Sequence, residues 1–312
     1  MRYANGSADL YDEPMTKSDR KRLRNGLLFA SPYIVGFTAF FLYPLLASIY
    51  YSFCRYNAMR HPVWIGLRNY ADLFFHDPLF WKSLGNTLYY TAFAVPLSLA
   101  FSITIALLLN AKIRGMSVYR TVFFLPTVVP IVASSVLWLW VLNPTAGIVN
   151  ILLGKIGIEG PGWMSDPAWS KPALITLGLW NVGTAIVIFL AGLKDVPEQL
   201  YEAASIDGAN TWHRLRHVTL PMLTPTILFN LIIGLITAFQ YFTQVFVMTN
   251  GLGTPADSTM FYSLYLYRNA FAYLKMGYAS ALAWMLFVVI LVCTVVVLKT
   301  SARWVYYQGS EE

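Results

Sequence analysis

The side chains that could do chemistry in this chain form no complete catalytic or metal-binding pattern. His213 and His217 are four residues apart, as zinc ligands on a helix are, but no carboxylate or cysteine ligand stands near them in the sequence. Gly154-Lys155 is followed by isoleucine, and no glycine stands five positions before Gly154, so the phosphate-binding pattern G-x-x-x-x-G-K-S/T is missing. We therefore expect a chain that is not an enzyme and holds no metal and no cofactor of its own.

Two apolar segments, 173–193 and 222–248, carry side chains suited to a neutral ligand. Small residues and neutral hydrogen-bonding groups recur there at spacings of three and four, which puts them on one helix face. A polyhydroxy ligand needs such contacts and an aromatic ring, but helix packing uses the same small residues, so both interpretations stay open for each residue. The candidate contacts are Asn181, Thr184, Gly234, Thr237, Tyr241 and Gln244, with Trp180 at the margin.

The polar stretch between these segments, 194–221, predicts two short helices. Asp195 can cap the first, which should end at Gly208, where glycine can adopt a left-handed conformation. Thr211 can cap the second, which should end at Leu220-Pro221. Small alanines leave the first helix thin on one side, so it can lie in a groove on a partner protein. The alternative is an interfacial amphipathic helix without a partner.

The elements that would position these residues are six long windows without a Lys, Arg, Asp or Glu. A helix that crosses the hydrocarbon needs about 20 apolar residues, and each window holds one such span. Barrel strands would alternate polar and apolar residues, and these windows do not. We predict an all-α integral membrane protein with six transmembrane helices, near 27–52, 85–109, 121–142, 173–193, 222–248 and 278–298.

The basic residues predict the orientation of the spans. With the N-terminus inside, 14 of the 22 Lys and Arg residues lie on the inner side. Both termini are therefore expected to be cytoplasmic, with tails at 1–26 and 301–312 around a transmembrane domain at 27–300, and the 194–221 loop is cytoplasmic too. The basic cluster before the first span is expected to bind anionic lipid headgroups and not nucleic acid.

The composition excludes several other classes of protein. Hydrophobic residues make up 57% of the chain and charged residues 12%, which argues against disorder, a disulfide scaffold and a soluble enzyme. Spans without ionisable groups argue against a proton-coupled carrier and a membrane-embedded enzyme. A sodium-coupled carrier would have inverted repeats with broken helices, and the sequence has no convincing internal repeat.

Some further side chains are expected to have ordinary structural roles. Ser98, Ser102 and Ala106 are expected to pack between helices. The aromatic residues outside the spans could dock a binding protein, although most of them fit the usual enrichment of Trp and Tyr at membrane interfaces. They are Trp163, Trp169, Tyr262, Tyr265 and Tyr267.

Five stretches of the sequence resemble one family. The spacing of Glu202-Ala203-Ala204, Gly208 and Val218-x-Leu220-Pro221 resembles the EAA loop of ABC importer permeases, although the family usually has Ile at the position of Val218. The resemblance covers about 27–300. Four further stretches match the carbohydrate-type branch, the relatives of the maltose and glycerol-3-phosphate importers: Asn86-Thr87-Leu88, 119–126, Leu142-Asn143-Pro144 with Gly147, and 277–281.

The resemblance implies a permease subunit of a binding-protein-dependent importer in a prokaryotic plasma membrane. It would form half of the pathway for a sugar, oligosaccharide or sugar-like polyol, beside a second permease (as a heterodimer), with two ATPase subunits that bind ATP and Mg and an extracytoplasmic solute-binding protein. An ion-coupled carrier and a permease for a non-sugar solute remain alternatives. The residues implied to couple to the ATPase are Glu202, Ala203, Ala204, Asp207, Gly208, Leu220 and Pro221.

Overall fold

The computed structural model describes residues 16–111 and 114–306. The predicted tails up to residue 15 and from residue 307 on, and the basic residue Lys112, lie outside the described residues. The described chain is mostly helical, as predicted, and its one sheet has two short strands. The chain divides into two compact units, the first ending at Tyr51 and the second beginning at Ser52.

The described part of the first unit belongs to a long helical segment whose first helix is well capped. The Asp19 backbone N–H donates to Thr16 Oγ1, and the Thr16 backbone N–H donates to the Asp19 carboxylate, both at 3.2 Å. From Lys17 to Ser52 the chain is long and apolar enough to cross a membrane, which agrees with the first predicted span. Its parts are α1 (Lys17–Phe37), a π-helical turn (Thr38–Leu42) and α2 (Tyr43–Ser52).

The first half of the second unit starts with an antiparallel strand pair, in which Cys54 lies opposite Trp64. Its longest helix has 32 residues and continues through Pro96. The elements are β1 (Cys54–Arg55), β2 (Val63–Trp64), α3 (Arg68–Phe75), α4 (Pro78–Leu109), α5 (Met116–Phe124), a 3-10 turn (Leu125–Val128), α6 (Ile131–Val141), α7 (Ile148–Lys155), a 3-10 turn (Trp163–Ser165), α8 (Pro167–Trp180) and α9 (Gly183–Lys194).

The second half of this unit contains the polar loop and two further long apolar helical segments. It has two π-helical turns among its described residues, and such turns are wider than regular α-helix and often mark functional positions. The elements are α10 (Glu198–Ile206), α11 (Thr211–Arg214), a π-helical turn (Leu215–Thr219), α12 (Leu220–Met222), α13 (Thr224–Phe239), α14 (Thr243–Met248), α15 (Tyr262–Tyr267), a π-helical turn (Arg268–Ala272) and α16 (Met276–Ser301).

Four helical segments of the described chain are long and apolar enough to span a membrane, or up to six if each bent pair counts as one span. The prediction of one continuous helix at 121–142 is wrong, because the chain bends by 101° between Val128 and Ile131. Pro130 has no N–H to donate and keeps Val129 extended, with a ψ of 128°. The predicted span at 173–193 is also bent, by 48° between Trp180 and Gly183.

Two hydrophobic clusters fill the second unit. The larger joins α4, α8 and the segments from α13 to α16, and the smaller lies between α4, α9 and Leu223. Ala106 is fully buried in the smaller cluster, which confirms its predicted packing role. The α9 and α13 helices cross closely, since a Cβ atom on Gly192 would lie 2.7 Å from Thr226 Oγ1. Both helices are therefore held against each other near the polar loop.

The prediction that Tyr262 and Tyr265 dock a partner or lie at a membrane interface is wrong. Tyr262 is fully buried and donates its hydroxyl to the Leu282 backbone oxygen at 2.8 Å, and Tyr265 is only 7% exposed. The side chain of Trp163 is also bound within the chain, because its indole N–H donates to Asn150 Oδ1 at 2.6 Å. Trp169 is 43% exposed, so the prediction for it stands.

The carboxylate of Asp77 joins three helices at the N-terminal end of α4. Its Oδ1 atom caps the helix by accepting from the backbone N–H groups of Leu79 and Phe80, at 3.0 and 3.1 Å. Its Oδ2 atom accepts from the hydroxyls of Tyr265 in α15 and Tyr278 in α16. Burial, together with the hydrogen bond to Asp77, raises the pKa of Tyr265 to about 12. One carboxylate thus satisfies four donors, two of them from distant parts of the chain.

We expect Asp77→Ala to destabilise the chain more than the same substitution at an exposed carboxylate. The change removes a helix cap, worth about 1 kcal/mol, and the acceptor of two tyrosine hydroxyls, worth about 1 kcal/mol each. The midpoint of thermal unfolding in detergent, followed by circular dichroism at a fixed heating rate, should fall by about 5–10 °C. Asp77→Asn should give a smaller fall, because its oxygen can still accept.

The matched control is Asp72→Ala, five residues earlier in the chain. Asp72 pairs with His76 at 3.4 Å, but the two side chains are 47% and 73% exposed, and exposed pairs contribute little. The midpoint of thermal unfolding of Asp72→Ala should stay within about 2 °C of that of the unaltered chain. Equal unfolding midpoints for the Asp77 and Asp72 variants would show that the hydrogen bonds of Asp77 add nothing to stability.

Candidate functional site

One pocket of about 680 Å³ contains all six predicted ligand contacts on its walls. Asn181 and Thr184 come from the junction of α8 and α9 and from α9 itself, and the other four come from α13, α14 and the break between them. The α4 helix also lines the pocket, with Ser98 and Ser102 among its contributions. These two serines were expected to pack only, and they line the pocket as well.

The pocket lies where two of the apolar segments are interrupted. Asn181 stands between α8 and α9, and Gln240, Tyr241 and Phe242 stand between α13 and α14. The predicted span at 222–248 agrees with the long apolar segment Thr224–Met248, but the helix of that segment is interrupted at 240–242. Irregular backbone is tolerated at membrane depth only where it is buried in protein or lines a cavity. The two breaks thus place backbone polar groups beside the same pocket.

The aromatic wall of the pocket is a stacked pair of tyrosines. The rings of Tyr90 and Tyr241 lie 4.4 Å apart at 26°, and Phe261 packs edge-on against both. Tyr241 is only 8% exposed, and its hydroxyl has no hydrogen bond of ordinary geometry to any described residue. A buried hydroxyl without a partner costs about 1–3 kcal/mol. A rearrangement that opened this buried hydroxyl to a ligand would therefore be favourable.

The described lining of the pocket carries no Asp, Glu, Lys or Arg. The Thr237 hydroxyl donates back to the Ile233 backbone oxygen at 2.9 Å, which leaves its oxygen free to accept. The side chains of Asn181, Thr184 and Gln244 make no hydrogen bond to other described residues, so their donors and acceptors are free for a ligand. Such a lining suits an uncharged ligand with many hydroxyls.

The polar loop after α9 is a second candidate site. Gly208 ends α10 with a φ of 77°, as predicted, and the Ala209 N–H donates to the Ala204 backbone oxygen at 2.9 Å. The large apolar side chains of Ile206 and Trp212 are 87% and 63% exposed. An exposed apolar surface of this kind is typical of a protein–protein contact. Of the residues implied to couple, Glu202, Ala203, Asp207 and Gly208 are exposed, and Ala204, Leu220 and Pro221 are half-buried.

Three details of the loop correct the sequence prediction. Asp195 does not cap α10, because it follows α9 directly and Pro197 occupies the cap position without a side-chain bond. Asn210, not Thr211, caps α11: its Oδ1 atom accepts from the His213 backbone N–H at 2.9 Å. The second helix also continues beyond Leu220, through the π-helical turn into α12, because a proline in the first turn of a helix needs no N–H donor.

Side-chain contacts tie α10 to the π-helical turn that precedes α12 and α13. The hydroxyls of Tyr201 and Thr219 lie 2.9 Å apart, and Arg214 Nε donates to the Ala209 backbone oxygen at 3.0 Å. Leu223, next to the start of α13, is fully buried against α9. A displacement of α10 would therefore be carried to α13, which lines the pocket.

The two histidines of the loop are stacked with each other. Their ring centroids are 5.8 Å apart, and His213 Nδ1 lies 2.9 Å from Asn210 Oδ1. In the part of the chain that the structure describes, no three His, Cys, Asp or Glu residues come together in a way that could hold a metal.

Comparison with known proteins identifies the same architecture elsewhere. Residues 79–307 match the model of the family of binding-protein-dependent transport system inner membrane components. The chain is 42% identical to the probable ABC transporter permease protein YesP of Bacillus subtilis (strain 168), over 95% of this chain and 96% of that protein. It is 36% identical to the lactose transport system permease protein LacF of Rhizobium radiobacter, over 86% and 91% of the two chains.

Further matches agree in sequence and in structure. The arabinooligosaccharides transport system permease protein AraP of Bacillus subtilis (strain 168) is 32% identical over 88% of this chain and 87% of that protein. A chain of a bacterial ABC transporter for the import of the acidic polysaccharide alginate, solved in complex with a pentasaccharide-bound periplasmic protein, is 26% identical with a TM-score of 0.78, covering 91% and 96% of the two chains. The chain therefore belongs to the family of binding-protein-dependent transport system inner membrane components.

Proposed function

We propose that the chain is a permease subunit of an ATP-driven importer for a neutral sugar, oligosaccharide or sugar-like polyol. The observation that carries this proposal is the uncharged pocket at the breaks of two apolar helical segments, in which free amide and hydroxyl groups stand beside stacked tyrosines. Relatives with names that refer to lactose and arabinooligosaccharides support the substrate class. The absence of charge from the described lining favours a neutral solute over an acidic one.

The proposed topology has both termini and the polar loop on the cytoplasmic side of a prokaryotic plasma membrane. The excess of Lys and Arg in the segments assigned to that side supports it. The bent pairs α5–α6 and α8–α9 then each count as one span, which gives six spans within a transmembrane domain at 27–300. The family match at 79–307 overlaps most of that domain.

In this proposal the energy comes from outside the chain. Two separate ATPase subunits bind ATP and Mg, and α10 sits in a groove of one of them through Glu202, Ala203, Ala204, Asp207 and Gly208. Closure of the ATPases moves α10, and Leu220 and Pro221 pass the movement to α13 and the pocket. A second, similar permease forms the other half of the pathway, and a solute-binding protein delivers the substrate from outside.

Two substitutions at the pocket test the substrate site. Tyr241→Phe removes a buried hydroxyl that makes no hydrogen bond of ordinary geometry to a described residue, so it should leave stability unchanged or slightly raised while it weakens substrate binding. Asn181→Ala removes an amide that is free to bind. Each should raise the half-saturating concentration for uptake about tenfold in vesicles that hold the assembled importer, measured with the best substrate from a panel of neutral oligosaccharides and polyols.

The matched control for the pocket is Thr176→Ala. Thr176 is exposed on α8, and its hydroxyl donates to the Pro172 backbone oxygen at 3.0 Å outside the pocket. Uptake by this variant should match the unaltered importer. If both pocket variants also transport with unchanged kinetics, Asn181 and Tyr241 are not ligand contacts.

Two substitutions in the loop test the coupling. Gly208→Pro cannot adopt the φ of 77° and also loses the N–H that donates to the Ser205 backbone oxygen at 3.1 Å. Glu202→Arg reverses a charge on the exposed face of α10. In reconstituted vesicles, ATP hydrolysis should continue while uptake per ATP falls at least about tenfold, and the subunit should remain in the membrane.

The chain offers a control for each coupling variant. Gly157 has a φ of 78° and donates its N–H to the Gly154 backbone oxygen at 3.1 Å, so Gly157→Pro perturbs the same local geometry far from the loop. Glu198→Arg reverses an exposed charge on α10 itself, one turn before Glu202. Normal uptake per ATP in Gly208→Pro and Glu202→Arg would contradict the coupling role.

A further inference from the structure

A groove of about 610 Å³ lies between α5 and α9, beside the end of α4, and is separate from the pocket described above. Most of its wall is apolar and open: Phe124 and Val187 are 43% and 48% exposed. The apolar lining consists of Leu109, Phe124, Ile186, Val187, Leu190 and Ala191.

The charges of the groove are confined to one end. Arg120, Lys194 and Asp195 line the groove there. The Arg120 guanidinium donates to the Leu109 backbone oxygen at 3.0 Å, which fixes it at the negative end of the α4 dipole and leaves its other N–H groups free. Neither Arg120 nor Lys194 forms a salt bridge with a residue of the described chain. The charged end therefore has a net positive charge and free donors.

The dimensions of the groove match one leaflet of a bilayer. From Lys194 back to Gly183, both in its lining, α9 rises by about 16 Å at 1.5 Å per residue. Half of a typical hydrocarbon core is about 15 Å. The charged end lies where α4 ends, α5 begins and α9 ends, which in the topology of the proposed function is the cytoplasmic face. That leaflet carries the anionic lipids.

We propose that this groove binds an anionic phospholipid, with its phosphate on Arg120 and Lys194 and one acyl chain along α9. The planar guanidinium matches the geometry of a phosphate, and the lysine adds a second charge-assisted hydrogen bond. The acyl chain covers the open apolar wall down to Val187. A helix of another subunit would cover that wall but would leave two cations at the groove end without an anion.

The test is retention of phosphatidylglycerol by the assembled membrane complex in mild detergent, measured by native mass spectrometry. The complex should bind phosphatidylglycerol and not phosphatidylcholine, and inorganic phosphate alone should not compete at millimolar concentration. Lys194→Gln and Arg120→Gln should each reduce retention about tenfold. Ala191→Trp fills the apolar part without touching the charges and should also reduce it. Arg303→Gln, an exposed basic residue outside the groove, is the control.

Two variants keep the outcome decisive. Arg120→Gln removes the bond to Leu109 and can disturb folding, but the side chain of Lys194 makes no hydrogen bond to a described residue, so Lys194→Gln leaves the fold intact. Equal retention by Lys194→Gln and the unaltered complex would overturn the proposal. A disulfide from Val187→Cys to the second permease would overturn it too. Retention is measured without transport, so its result does not depend on whether the substrate class proposed above is correct.

Discussion

The constraint on which the structure depends is that hydrocarbon offers no hydrogen-bond partner to the backbone. Every segment that crosses it must satisfy its own N–H and C=O groups, and each break in a helix must lie in protein or at a cavity. In the second unit, the breaks at Asn181 and at 240–242 lie side by side at one pocket. The same constraint keeps charges out of the spans, which leaves amides, hydroxyls and backbone groups as the polar groups of the pocket.

Hydrogen bonds and close helix packing hold the helices around these breaks together. Asp77 binds the start of α4 to α15 and α16, and the close crossing at Gly192 and Thr226 holds α9 against α13. Within the polar loop, the contact between Tyr201 and Thr219 ties α10 to the π-helical turn, and Leu223 beyond that turn is buried against α9. In the proposed mechanism, movement of the loop is therefore transmitted through packed helices, and the breaks at the pocket are the positions that can change conformation.

The sequence predicts the apolar segments well because a span needs a long window without charge, and helical spacing correctly places the six candidate contacts on faces that meet. It does not predict the breaks, because the windows without charged residues run through Asn181 and Tyr241 without interruption. It also does not predict the hydrogen bond from Tyr265 to Asp77, because Asp77 stands 188 residues away along the chain. Caps are uncertain by one residue because Asn210 and Thr211 are both good capping residues, and only the backbone geometry selects Asn210.

In the proposed function, the uncharged pocket also limits which solutes this chain can accept. Moving a charged solute from water into it would cost several kcal/mol without a compensating ion, whereas a neutral polyol exchanges its water hydrogen bonds for those of the lining at little cost. The solved relative belongs to a transporter that imports acidic alginate. In an importer built with the present chain, an acidic saccharide would have to find its countercharge on the other permease. In the proposed function, the substrate charge is therefore decided by the pair of permeases, of which this chain supplies the neutral half.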